Sequence, residues 1–135
     1  MTLLFMCLTG CSMGEIQSKG DQVIIQQSVD ESNKYTLLRE ITDPTQVQAI
    51  RNITASIPSN NTIADMVRPP DYKFFFENNK SSSDKSVIYN LWISPHQDQV
   101  EIIIESKPTY VQLTKKKSAK LFELITGEKL PGYVE

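Results

Sequence analysis

The stretch from residue 72 to residue 105 limits what this chain can fold into more than any other. It holds three apolar runs of period two. Tyr72, Phe74 and Phe76 alternate with Lys73, Phe75 and Glu77. Val87, Tyr89, Leu91 and Ile93 alternate with Ile88, Asn90 and Trp92, and Val100, Ile102 and Ile104 alternate with Glu101, Ile103 and Glu105. Successive side chains of a strand point to opposite faces, so each run offers one apolar set to a core. The polar connections 78–85 and 94–98 suit hairpins between antiparallel neighbours. Together they dictate an antiparallel sheet covered on one face.

Two helices supply the cover. Asp43 is placed to cap the first, Pro44 suits a first helical position that needs no amide hydrogen, and Gln46 completes a capping-box-like pattern. Val47, Ile50, Ile53 and Ile57 then recur at helical spacing up to Pro58, with Gln48 and Arg51 on the outer face. Thr114 caps the second helix, residues 115–126, and Gly127 sits where a left-handed residue ends it. Its apolar face is Ala119, Leu121, Phe122, Leu124 and Ile125. Residues 35–41 read as a further strand, 22–26 as a short strand or extended chain, and 110–113 as a short extended piece. Arg68-Pro69-Pro70-Asp71 reads as connection, because proline donates no ladder hydrogen bond. Residues 130–135 read as a loosely attached tail. The expected fold is α+β: an antiparallel sheet of three to five strands with two helices packed on one face.

Ahead of this domain, Leu3-Leu4-Phe5-Met6-Cys7-Leu8 is apolar but far shorter than the ~20 residues that span a bilayer. It runs into Leu8-Thr9-Gly10-Cys11, and all 14 basic and 16 acidic residues follow it. The stretch resembles the lipobox of a bacterial lipoprotein signal peptide. The resemblance implies that the Cys11 thiol receives a diacylglyceryl group, that the chain is cut just before it, and that lipid holds the mature protein on the outer face of the bacterial cell membrane. One element departs from the pattern, since Met1-Thr2 bring no Lys or Arg. The plain alternative is an apolar N-terminus packed on the domain, with Cys11 a free thiol. On the lipobox reading, residues 1–10 are signal peptide, 11–21 are the lipidated cysteine and a flexible tether, and 22–135 form a single α+β domain.

Further along, four segments stand at a familiar spacing: Pro70-Asp71-Tyr72, Tyr89-x-Leu91-Trp92-Ile93, Tyr110-Val111-x-Leu113-Thr114 and Ser118-x-x-Leu121-Phe122. Across residues 35 to 127 the chain is similar to small bacterial lipoproteins of the Firmicutes type that carry a YhfM-like domain. That resemblance implies a location and a domain shape. It carries over no catalytic residue and no cofactor.

Chemistry is sparse in the remaining residues. A net charge of −2 gives no general affinity for nucleic acid. Cys7 falls in the peptide to be removed and Cys11 takes the lipid, so the folded part is expected to have no disulfide, thiolate metal site or cysteine nucleophile. There is no GxGxxG, phosphate loop, HExxH or EF-hand spacing. No catalytic residue, metal or cofactor is expected. The rival reading is a small hydrolase using His96, the one histidine, with Asp98 and Tyr89, which would have to converge in one concave pocket.

Two surfaces are candidates for binding. Phe75, Ile88, Trp92 and Ile103 point away from the helices, either as an exposed apolar stripe for a partner or under cover of the N-terminal strand or a second copy. Lys115, Lys116, Lys117 and Lys120 place four cations at the start of the last helix, where the macrodipole disfavours them. They read as a solvated helix end, with contact to anionic lipid headgroups or wall polymer as the alternative. The functional expectation is a lipid-anchored binding or structural module of the envelope, with a membrane and an envelope protein as partners. The alternative is a regulator or inhibitor of another envelope protein. The sequence leaves the oligomeric state open.

Overall fold

A computed structural model describes residues 21–30, 32–58, 64–78, 87–105 and 109–134. The stretches expected to be a signal peptide (1–10) and a lipidated cysteine with its tether (11–20), and most of the connection after residue 78, lie outside the described residues. In chain order the elements are β1 (Gln22–Ser28), β2 (Tyr35–Ile41), α1 (Pro44–Ala55), β3 (Tyr72–Glu77), β4 (Tyr89–Ile93), β5 (Val100–Ile104), β6 (Thr109–Gln112) and α2 (Lys115–Thr126).

The strands form one antiparallel sheet of six in the order β2-β1-β3-β4-β5-β6, with both helices on one face. This α+β architecture has one strand more than the upper end of the expected range, because residues 22–28 and 109–112 both pair fully. Strand β1 lies between β2 and β3, and Val23, Ile24 and Ile25 are all buried. A strand buried on both faces reads as a continuous apolar run without alternation. That is why its pattern was ambiguous. Between Ile25 and Gln26 the β1–β2 register slips, leaving Leu38 unpaired in β2. The bulge lets Leu38 pack against the core while Leu37 stays exposed, and it disturbs the sheet's outer edge against further pairing.

The inward set of each strand is the expected one. Phe74, Phe76, Tyr89, Leu91, Val100 and Ile102 face Val47, Ile50, Leu121, Phe122 and Ile125 of the helices, all of them buried. Aromatic rings knit this layer. Phe74 stacks on Tyr89 at 5.0 Å, Phe76 meets Tyr89 edge-on at 6.2 Å, and Tyr72 meets Phe122 edge-on at 5.9 Å.

Both helices begin as their capping residues dictate. The Asp43 carboxylate accepts the amides of Thr45 and Gln46, and the Thr114 hydroxyl accepts that of Lys117. Gly127, at φ 78°, ends α2 with its amide donated to Glu123 O. The helices run antiparallel: Lys117 at the start of α2 reaches Ser56, just past the end of α1, at 3.2 Å. Arg51 departs from the outer-face expectation, because its long side chain lays the guanidinium over the Phe76 ring at 5.1 Å.

Two further packing features were not foreseen. Ser118 is completely buried. Its hydroxyl accepts the Val100 amide at 2.9 Å and donates to Leu113 O at 3.2 Å, pinning α2 to the β5–β6 end of the sheet. The tail is not loose. Leu130 is buried in the core, and Gly132 donates its amide to Gln97 O at 2.8 Å. A Cβ at Gly132 would come within 2.7 Å of the Gln97 backbone, so only glycine permits this approach.

Leu91→Ala is expected to cost about 2–5 kcal/mol of stability, because Leu91 is fully buried between sheet and helices. Ser118→Ala should cost about 1–3 kcal/mol by leaving the Val100 amide without an acceptor. Denaturant midpoints measure both, and unchanged midpoints would contradict this packing.

Candidate functional site

On the face away from the helices, register sets out the rows. Ile24 stands beside Phe75 and Glu40, Lys73 beside Asn90, Asn90 beside Ile103, Trp92 beside Glu101, and Ile103 beside Tyr110. The four residues expected to form an apolar stripe do share this face. Phe75, Ile88 and Ile103 are half-buried, but Trp92 is only 5% exposed. The stripe is therefore interrupted at Trp92, and the N-terminal strand does not cover it, because β1 lies within the sheet between β2 and β3.

The cover is the proline-marked connection before β3. Trp92 Nε1 donates to Arg68 O at 2.9 Å, and Arg68 Nη2 donates to Ile93 O at 3.0 Å. Asp71 holds the segment down. Its carboxylate pairs with Arg68 Nη1 at 2.6 Å and accepts the Ile93 amide at 2.8 Å, while its own amide donates to Leu91 O at 2.8 Å. Tyr35 OH adds a bond to Pro70 O at 2.8 Å. Burial raises the phenols of Tyr35 and Tyr72 above their ordinary value, and the nearby Asp71 charge adds to this. By sequence alone, residues 68–71 read as plain connection. The available signal was an Arg and an Asp three apart, flanking two prolines.

Next to this strap, Tyr110 donates its hydroxyl to the Glu101 carboxylate, and Asn90 Nδ2 donates to Glu105 Oε2 at 3.2 Å. Both pairs were missed. Glu101 and Tyr110 are diagonal neighbours on adjacent strands, a relation visible only once the β5–β6 register is known.

His96, Asp98 and Tyr89 do not converge. His96 is exposed in the β4–β5 turn, Asp98 pairs with Lys115 at 3.3 Å, and Tyr89 is core, stacked on Phe74 at the far end of β4. Of the lysines, Lys115 is held by Asp98 and Lys117 by Ser56, while Lys116 and Lys120 stand exposed one turn apart. Lys120 also lines an open cavity of about 330 Å³ with Arg39, Gln46, Glu123, Leu124 and Gly127. Arg39 Nη1 reaches Leu124 O at 3.5 Å near the end of α2, where a cation suits the exposed carbonyls. Among the described residues, no group of three or more His, Cys, Asp or Glu side chains could hold a metal, and no helix is long and apolar enough to cross a membrane.

The fold is thus a single six-stranded antiparallel sheet under a two-helix layer, with one strap folded over the second face. The chain belongs to the YhfM protein family, whose model matches residues 16–131. No curated protein and no solved structure matches it.

The bond to the Glu101 carboxylate, aided by burial, pushes the Tyr110 phenol up to about 12 from an ordinary value of 10.0. A raised folded-state value means the pair's contribution to stability is complete below about pH 10 and is lost as pH rises to about 12. Tyr110→Phe should remove the latest tyrosinate step from an alkaline absorbance titration and flatten part of the stability loss in that window. A variant titration identical to that of the wild type would contradict the pair.

Proposed function

We propose that this chain is a lipid-anchored bacterial cell-surface lipoprotein whose folded domain is a non-enzymatic binding or structural module of the envelope. One observation carries the reading: Leu8-Thr9-Gly10-Cys11 closes an apolar stretch, and every charged residue of the chain comes after it. A diacylglyceryl group on Cys11 supplies two acyl chains, each buried CH₂ contributing about 0.8 kcal/mol, where a single chain binds only marginally. The family match starts at residue 16 and leaves the Leu3–Cys11 stretch outside it, in keeping with a leader set apart from the domain. The scattered positions of His96, Asp98 and Tyr89 favour binding over hydrolysis. The sheet face around Phe75, Ile88 and Ile103, half-buried and rimmed by Glu101 and Glu105, is the surface this reading offers to an envelope protein.

The test is fractionation of cells producing the wild type or Cys11→Ser. The wild type is expected in the membrane fraction with a lipid-shifted mobility, and the variant as an unlipidated precursor or soluble protein. Complete membrane partition of Cys11→Ser without a size difference would refute the anchor.

A further inference from the structure

The domain has two faces of opposite charge. Strand positions on the open face carry Glu40, Glu77 and Glu101, against Lys73. The helical layer is the reverse. Helix α1 contributes one charge, Arg51, and α2 contributes Lys115, Lys116, Lys117 and Lys120 against Glu123. The two helices therefore carry net +4 in a chain whose net charge is −2, leaving −6 for all the rest. Arg39 adds to the helical side, reaching Leu124 O beneath the end of α2. The acids that accompany this side are Asp43, occupied as the α1 cap, Asp98, occupied by Lys115, and Glu128 past the end of α2.

This arrangement works against the fold. Three successive lysines occupy the positive end of α2, with no acidic residue in its first turn, and Lys116 and Lys120 repel each other at i,i+4 spacing. The outward positions of α1 are polar and uncharged, with Thr45, Gln46, Gln48 and Asn52 all exposed, so α1 brings no acid to these lysines; Asp98 pairs with Lys115, and Glu123 lies one turn beyond Lys120. Local rules are broken in this way where a surface serves something outside the fold. The exposed positions at the start of α2 are lysines, so contact on this side is electrostatic.

We infer that the helical layer is a docking surface for an anionic lipid membrane, with Lys116 and Lys120 as its principal contacts. An extended negative surface matches an extended positive one, and each lysine near such a surface adds attraction that salt screens. Docking on the helices turns the acidic sheet face, with Phe75 and Ile103, away from the membrane. The surface deepens the proposed envelope role yet does not depend on the lipid anchor, so the two fail separately.

The experiment uses the full chain carrying Cys11→Ser, which cannot be lipidated. It is sedimented with vesicles of equal parts phosphatidylglycerol and phosphatidylcholine, and with vesicles of phosphatidylcholine alone. Excess binding to the anionic vesicles is expected, with loss on raising salt. Adding Lys116→Glu and Lys120→Glu should weaken that excess by about tenfold or more. The same double change should shift the melting temperature little, because an acid at 116 suits the first turn while a second acid at 120 keeps the like-charge pair at i,i+4 spacing, which separates lost binding from lost folding. Glu77→Gln on the opposite face should leave binding no weaker. No excess over neutral vesicles, an excess unchanged by the lysine variants, or capture by a soluble polyanion without any by vesicles would each overturn the inference.

Discussion

Asp71 is the residue on which the second face of the sheet depends. The β3–β4 ladder pairs Tyr72 with Leu91 and goes no further towards Ile93, so the Ile93 amide needs an acceptor from elsewhere. The Asp71 carboxylate provides it at 2.8 Å and uses its other oxygen to fix Arg68. The Asp71 carbonyl also accepts the Ser28 amide at 3.0 Å, which ties in the end of β1. One side chain and its backbone thus join β1, β4 and the strap. Hydrogen bonds to a charged group contribute about 1.5–3 kcal/mol each, more than neutral ones. The arrangement puts the Arg68 carbonyl where Trp92 Nε1 can donate to it, so the largest outward side chain of β4 becomes a core residue with its polar atom satisfied.

That closure divides the domain. Towards the helices lies a single aromatic and aliphatic core, pinned at one end by Ser118 and at the other by the cation-bearing contacts of Arg39 and Arg51. On the other side lies a sheet face sealed over Trp92, with Phe75, Ile88 and Ile103 half-buried beyond the seal. Charge follows the same division, with cations on the helices and acids on the open face. A protein tied to a surface by one end gains from such asymmetry, because a flexible tether limits distance and leaves orientation free.

The elements set by short-range chemistry were legible. Asp43 and Thr114 at the helix starts and Gly127 at the end of α2 act locally, and the structure places both helices where those residues put them. The inward faces of β3, β4 and β5 were legible from alternation. Legibility failed where a residue's role is set by a partner distant in sequence. Trp92 shares the outward period of β4, and nothing within the strand reveals that Arg68 and Asp71 fold over it. Ser118 stands outside the apolar set of its helix, and only the approach of Val100 gives its hydroxyl a buried role. Leu130 and Gly132 looked like a tail because their partners, the core and the Gln97 carbonyl, lie across the fold. The candidate surface suffered for the same reason: its four residues were assigned to the correct face, but which of them are open depends on the strap.

Trp92 is the chain's one tryptophan, so its fluorescence reports directly on whether the strap closes that face. The decisive measurement is iodide quenching of this emission in the wild type and in Asp71→Ala. The account expects blue-shifted emission shielded from iodide in the wild type, and a red shift with open quenching in the variant while the far-ultraviolet dichroism stays folded. Wild-type emission quenched as freely as an exposed indole, or an Asp71→Ala spectrum identical to it, would contradict the account.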